Sequence, residues 1–303
     1  MAVKKEKTFD FPSPRDNPEL VGHLGVLRNF DDAWKMRDQY PIHPVWILSG
    51  PRGIGKATMA HQIARRVYGN IGDFFILDID AEHAIKRDSN GKDHSKSKKL
   101  SLELVSNMIE KMQLSSMSGG WRVIVVDSLD EMTMSATNAM LKLLEEPPEK
   151  TLFLLVSHNL GGVLPTIRSR ARVEKIAPLT INQLRELCMT FLPNEDMSSD
   201  ILKLSGGSFG KIANLKNSGG DVIFTELLNT LKNPNTNAGD LLRIAKKIAP
   251  YSGLHGILLD AVAYFGLADL YSSATRELRD IETIFVEPEI TIFKILTEIK
   301  KCL

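Results

Sequence analysis

Cysteine is scarce: 303 residues contain two, Cys188 and Cys302. They stand far apart and form no Cys-x-x-Cys pair, which argues against a disulfide framework and leaves no cysteine-based metal site to read. Two reduced thiols are the expectation, as in a cytoplasmic protein. Long apolar runs are missing too. None reaches the ~18 residues that crossing a bilayer requires, so no membrane association is expected. The opening stretch, MAVKKEKTFDFPSPRDN, has no apolar segment of the secretion-signal kind. Nor is there an excess of charge of one sign. Lys and Arg number 38 and Asp and Glu 37, a formal net charge of +1. That balance excludes a globally basic nucleic-acid binder and permits a local basic patch. What is present is ordinary for a globular chain, with 43% hydrophobic and 25% charged residues. The length allows one large core and one or two smaller ones.

The first half alternates short apolar runs with helical patterns. HPVWILSG, FFILDID, WRVIVVD and TLFLLVS read as strands, apolar on consecutive positions as in a parallel sheet covered on both faces. Between them, ATMAHQIARRVYG, SLELVSNMIEKM and SATNAMLKLLEE read as helices, the last stopped by Pro147 and Pro148. The alternation implies an α/β domain with right-handed crossovers. Strand signals stop after about Ala177. The remainder reads as helices, with breaks expected at Gly206, Gly207 and Gly210 and with Leu258, Val262 and Phe265 on one face. Domain joints are placed near Pro178 and near Gly219 and Gly220, giving domains 1–178, 179–219 and 220–303. KRDSNGKDHSKSKKLS is polar and basic, with Lys92, Lys96, Lys98 and Lys99 close together. It reads as a solvated loop or as a contact for DNA phosphates, which need no sequence motif.

The chemistry centres on GPRGIGKAT, Gly50 to Thr58. A phosphate loop needs a strand, a glycine-rich turn whose amides point inward, and a helix N-terminus facing the anion. Gly50, Gly53 and Gly55 supply the turn and Lys56 a mobile ammonium for the phosphates. The alternative is a glycine-rich turn that binds nothing. The pattern departs at Ala57, where a magnesium-ligating hydroxyl belongs. Thr58 carries a hydroxyl one position late, rotated by about 100° around the helix. The second half of such a site is a strand ending in an acid, here Asp127 after VIVV. The next position, where a water-polarising glutamate is expected, is Ser128, whose neutral hydroxyl is a poor base. Asp130 and Glu131 follow; they are either remote acids able to replace that base or first-turn acids of the next helix.

GPRGIGKAT, VVDSLDEMTMSATNAMLKLLEEPP and TIRSRAR, in this order and spacing, resemble the bacterial DNA polymerase III clamp-loader family, in particular its delta-prime type from alphaproteobacteria. PRDNPELVGH and GGWRVIVVDS fit the same family, and the resemblance is specific from about residue 13 to 178. It implies an AAA+ architecture: a RecA-like parallel-sheet domain, a small helical lid and an all-α collar. It further implies cytoplasmic work in a hetero-pentameric ring with motor gamma/tau subunits and delta, placing the sliding clamp on primed DNA. The family's Ser-Arg-Cys motif falls on Ser169, Arg170 and Ala171. The resemblance makes Arg170 an arginine given in trans to a neighbouring subunit's ATP site, with a surface arginine after a strand as the plain alternative. ATP or ADP at Gly50, Gly53, Gly55, Lys56, Ala57, Thr58 and Asp127 is the implied cofactor, with the magnesium half weakened by Ala57. Ser157 and His158 fall near the family's sensor position, although His158 also reads as a plain loop histidine. The lid's arginine sensor falls on Gly210, beside Lys211. Related subunits carry four zinc-binding cysteines, none of which stands between Tyr68 and Leu104, so no zinc is expected. The resemblance therefore implies a ring member with little ATP turnover of its own. The competing expectation is a self-sufficient phosphate-loop ATPase acting on DNA, with Asp130 or Glu131 as base.

Overall fold

The structure, a computed structural model, describes residues 9, 11–18, 20–68, 73–83, 99–113, 119–195, 197–250, 255–283 and 287–303. The chain divides into two compact units, one of residues 12–179 and one of residues 180–303 together with Phe9 and Phe11.

The first unit is built on five parallel strands: β1 (Val45–Ser49), β2 (Asp73–Asp78), β3 (Arg122–Asp127), β4 (Thr151–Ser157) and β5 (Arg172–Lys175). Their order is β2-β3-β4-β1-β5, every pairing being parallel. Alternation along each strand divides the side chains between two cores. Val45, Ile47, Ile124, Val126, Phe153 and Leu155 pack with the helices Leu102–Gln113 and Met134–Glu145. Trp46, Leu48, Val123, Val125, Leu152 and Leu154 pack on the other face with α1 (Leu24–Lys35) and α2 (Lys56–Tyr68). Both faces are covered, which is why these strands are continuously apolar. Each fully buried side chain such as Phe153 contributes roughly 1.5–3 kcal/mol. β5 is a short edge strand that is not among the four expected from sequence. Arg172 lies over the Trp46 ring, 4.3 Å from its centroid, and bonds Glu174 at 2.8 Å. The strand order brings the end of β1 beside the end of β4, and β4 beside β3, so the turn after β1 lies near the acid after β3.

The second unit is helical: Ile181–Phe191, Ser199–Leu204, Phe209–Asn217, Gly220–Lys232, Ala238–Ile248, Gly256–Tyr264, Ala268–Thr283 and Pro288–Cys302. Side-chain caps start several of them, with full capping boxes at Thr180/Gln183 and Asn237/Asp240. Gly206 and Gly207, at positive φ, interrupt the chain as expected, whereas Gly210 lies inside the helix Phe209–Asn217. Ser208 caps that helix through the Lys211 amide, so the break comes two residues before the expected glycine. Leu258 and Val262 are buried within Gly256–Tyr264, but Phe265 falls past its last turn. Phe9 and Phe11 belong to this unit, not to the α/β one. Phe11 meets Phe209 edge-on at 5.8 Å, and the Phe9 amide donates to Asn217 Oδ1 at 2.9 Å. Among the described residues no helix is long and apolar enough to cross a membrane.

Candidate functional site: the phosphate loop and the exposed arginine

The glycines of the loop are required by geometry. Gly50 donates its amide to Ser157 O at 3.2 Å. A Cβ there would lie 2.3 Å from Ile176 O, closer than any side chain tolerates. Gly53 and Gly55 sit at φ 78° and 98°, where a side chain is strained. α2 then begins at Lys56, presenting first-turn amides without intrahelical partners and the positive end of the helix dipole. The segment before α1 braces this turn. His23 Nε2 lies 2.9 Å from Ile54 O, and Gln62 donates to Pro18 O at 2.9 Å. PRDNPELVGH, in sequence only a family marker, is thus a physical support of the loop.

Lys56 is 2% exposed, and its ammonium is engaged inside the loop, donating to Gly50 O at 2.7 Å and Pro51 O at 2.5 Å. Burial lowers its pKa to about 8, although the negative charges of Asp127 and Asp130 pull upward. Any phosphate here competes with two carbonyls for that ammonium. Thr58 is buried and Ala57 half-buried, so the late hydroxyl faces protein, as the helical rotation requires.

Asp127 ends β3, its pKa raised to about 6 by burial first and then by Glu131 and Asp78. Ser128 follows, 1% exposed. Its Oγ, Ser157 Oγ and His158 Nδ1 are buried polar atoms without hydrogen-bond partners among the described residues. Unsatisfied groups of this kind beside a cation fit a small polar ligand. Burial first, then the Lys56 charge, depresses the His158 pKa to about 4, leaving a neutral ring at pH 7. Lys56 and the loop amides have the chemistry to hold a phosphate group. No side chain at position 57 fits a magnesium ligand.

Asp130 and Glu131 lie in a separate 3₁₀ turn, Leu129–Glu131, not in the first turn of the following helix, which starts at Met134. The turn forms because Ser128 O and Leu129 O accept the Glu131 and Met132 amides. Asp130 accepts the His158 amide at 2.6 Å and the Asn159 amide at 3.0 Å, tying the end of β4 to the turn after β3. Glu131 pairs with Arg52 of the loop at 2.9 Å. Both acids thus hold the scaffold, a use for which sequence carried no signal.

Arg170 follows the one-turn helix Pro165–Arg168. Its side chain is 36% exposed. Nη2 meets Glu145 Oε1 at 2.8 Å, and Nη1 donates to Thr166 O at 2.9 Å and Ser169 Oγ at 3.4 Å. Ser169 in turn donates to Thr166 O at 3.1 Å. Arg168 is exposed and Arg172 is engaged at the sheet edge, so the three neighbouring arginines have different surroundings. In the helical unit, Lys211, beside the expected sensor position, is ion-paired with Asp260 and donates to Leu204 O at 3.2 Å. Lys92, Lys96 and Lys98 lie outside the described residues.

A parallel sheet with a glycine-rich phosphate loop after β1, an acid after β3 and helices on both faces defines an AAA+ fold. The chain resembles a DNA polymerase III gamma subunit-related protein from Thermotoga maritima, with a TM-score of 0.51 at 14% identity over 90% of this chain and 98% of that one, a likeness of fold. Residues 33–180 match the family described as DNA polymerase III, delta subunit. The Pseudomonas aeruginosa DNA polymerase III subunit delta' is 31% identical over 188 residues, 54% of this chain and 52% of that protein. The Yersinia pestis subunit delta' is 44% identical over 126 residues, 41% of this chain and 33% of that protein. Over about half of its length the chain is thus similar to clamp-loader subunits of DNA polymerase III. It spans about half the length of the first of these curated relatives or less.

Proposed function

We propose that this protein is the delta-prime type of subunit in a bacterial clamp loader. It hydrolyses little ATP itself and lends Arg170 to the ATP site of a neighbouring motor subunit. The partners are gamma/tau-type motors and a delta-type subunit in a hetero-pentameric ring, acting in the cytoplasm on a sliding clamp and primed DNA. Residues 179–219 serve as lid and 220–303 as collar. ATP or ADP binds on Lys56 and the loop amides with Asp127 on the neighbouring strand, and magnesium is not held at Ala57.

The observation that carries this reading is the division of charged groups. Arg170 is at the surface with N–H groups left over, whereas the acids that could replace the missing base are committed, Asp130 to backbone amides and Glu131 to Arg52. A guanidinium at a transferring phosphoryl group offsets developing charge, an effect of about 10³–10⁵ in rate where an arginine acts in trans. The test is reconstitution. The isolated chain shows negligible ATP turnover, and the complex with motor and delta subunits turns over ATP and loads clamps. Arg170→Ala lowers turnover of that complex about 10³-fold. Brisk hydrolysis by the isolated chain, abolished by Lys56→Ala, would instead establish the self-sufficient ATPase.

A further inference from the structure

Glu145 occupies a position that helix chemistry does not favour. It is the last residue of Met134–Glu145, at the negative end of the helix dipole, where a carboxylate is repelled and a cation is attracted. Pro147 and Pro148 then stop the helix, fixing where this carboxylate stands. Its own exposure is 47%, so it fills no core. What it touches is Arg170: Oε1 stands 2.8 Å from Nη2. On the other terminal nitrogen, Nη1 donates to Thr166 O at 2.9 Å. The guanidinium is planar, so holding both terminal nitrogens fixes its plane as well as its position. Each terminal nitrogen carries two hydrogens and Nε a fifth; with Glu145, Thr166 and Ser169 taking three, one on Nη2 and the one on Nε remain for an anion outside the chain.

We infer that Glu145 is a positioning residue for Arg170. It holds the guanidinium in one orientation before a neighbour's phosphate arrives. This rests on the reading of Arg170 as a trans donor. A free arginine loses rotamer freedom when it engages a phosphate, and one already clamped by a carboxylate and a carbonyl loses less. Glu145 touches no substrate and acts only through Arg170.

The test is a double-mutant cycle in the reconstituted clamp loader, reading ATP turnover and nucleotide KM separately. Glu145→Gln keeps the shape and removes the charge. It lowers kcat about two- to fivefold, the range of a partly exposed ion pair, with KM unchanged. In an Arg170→Ala background the same substitution has no further effect, because the group it positions is gone. Glu145→Asp recovers part of the loss. Three results overturn the inference: no change or a rise in kcat with Glu145→Gln, or an equal loss with and without Arg170. If Arg170→Ala itself leaves turnover unchanged, the trans role and the Glu145 assignment fall together. If Arg170→Ala is severe and Glu145→Gln silent, the Glu145 assignment falls alone.

Discussion

The α/β unit contains two cations of proposed function, and they are treated in opposite ways. Lys56 is buried, desolvated and bonded to the carbonyls of its own loop, with acids nearby that brace backbone and loop. Arg170 is partly exposed and held by a side chain that is itself exposed. Charges buried in a scaffold chiefly affect stability, because removing one leaves its partners unsatisfied in a low-dielectric site. Charges held at the surface affect stability little and stay available to another molecule. The two regions are therefore separable by measuring stability and complex activity on the same variants.

The largest stability effect is expected at Asp130. Asp130 is itself exposed, so water partly replaces what Asp130→Ala takes from the His158 and Asn159 amides, and the two bonds lost together cost about 2 kcal/mol, read as a lower urea midpoint. An unchanged midpoint would show that the Asp130 contacts do not brace the scaffold. Next is Asp127. Its pKa is raised to about 6, so the ionised carboxylate penalises the folded state. That penalty is complete above pH 6 and vanishes below about pH 4, the ordinary carboxylate range. Asp127→Asn accordingly stabilises the protein by about 1–2 kcal/mol at pH 7, and by nothing in acid.

A similar magnitude governs Lys56. With the free-protein pKa at about 8, the ammonium is charged below that pH and neutral above it. Any affinity for a triphosphate in the isolated chain then holds below pH 8. It falls about tenfold per pH unit above, until the higher pKa of the bound state is passed. A titration flat from pH 7 to 9 would show that Lys56 contributes no charge to an anion. The smallest stability effect is expected at Glu145→Ala, under about 1 kcal/mol, the scale of an exposed pair. The same change is the one expected to alter the assembled complex.

Much of this was legible in the chain itself. The four apolar strands, the helix stops at Pro147 and the glycine turn around Lys56 follow from local periodicity and from residues with special backbone geometry. Those are short-range properties, expressed wherever the segment finds a core. The likeness to clamp-loader subunits and the AAA+ architecture were likewise readable from motif order. The edge strand β5 was not read, because an exposed edge carries no apolar signature. Nor was the place of Phe9 and Phe11, which depends on an aromatic partner some two hundred residues away.

The sequence by itself determined which groups are present and in what order: a glycine-rich loop ending in a lysine, an acid followed by a serine, and an arginine after a serine. Only the tertiary structure decided what those groups do with one another. It turned Asp130 onto the backbone after β4, bent Lys56 back to the carbonyls of Gly50 and Pro51, and set Glu145 against Arg170. The reason is physical. Residue types and spacing specify local conformation, whereas the pairing of charges depends on which strand ends the sheet order brings side by side.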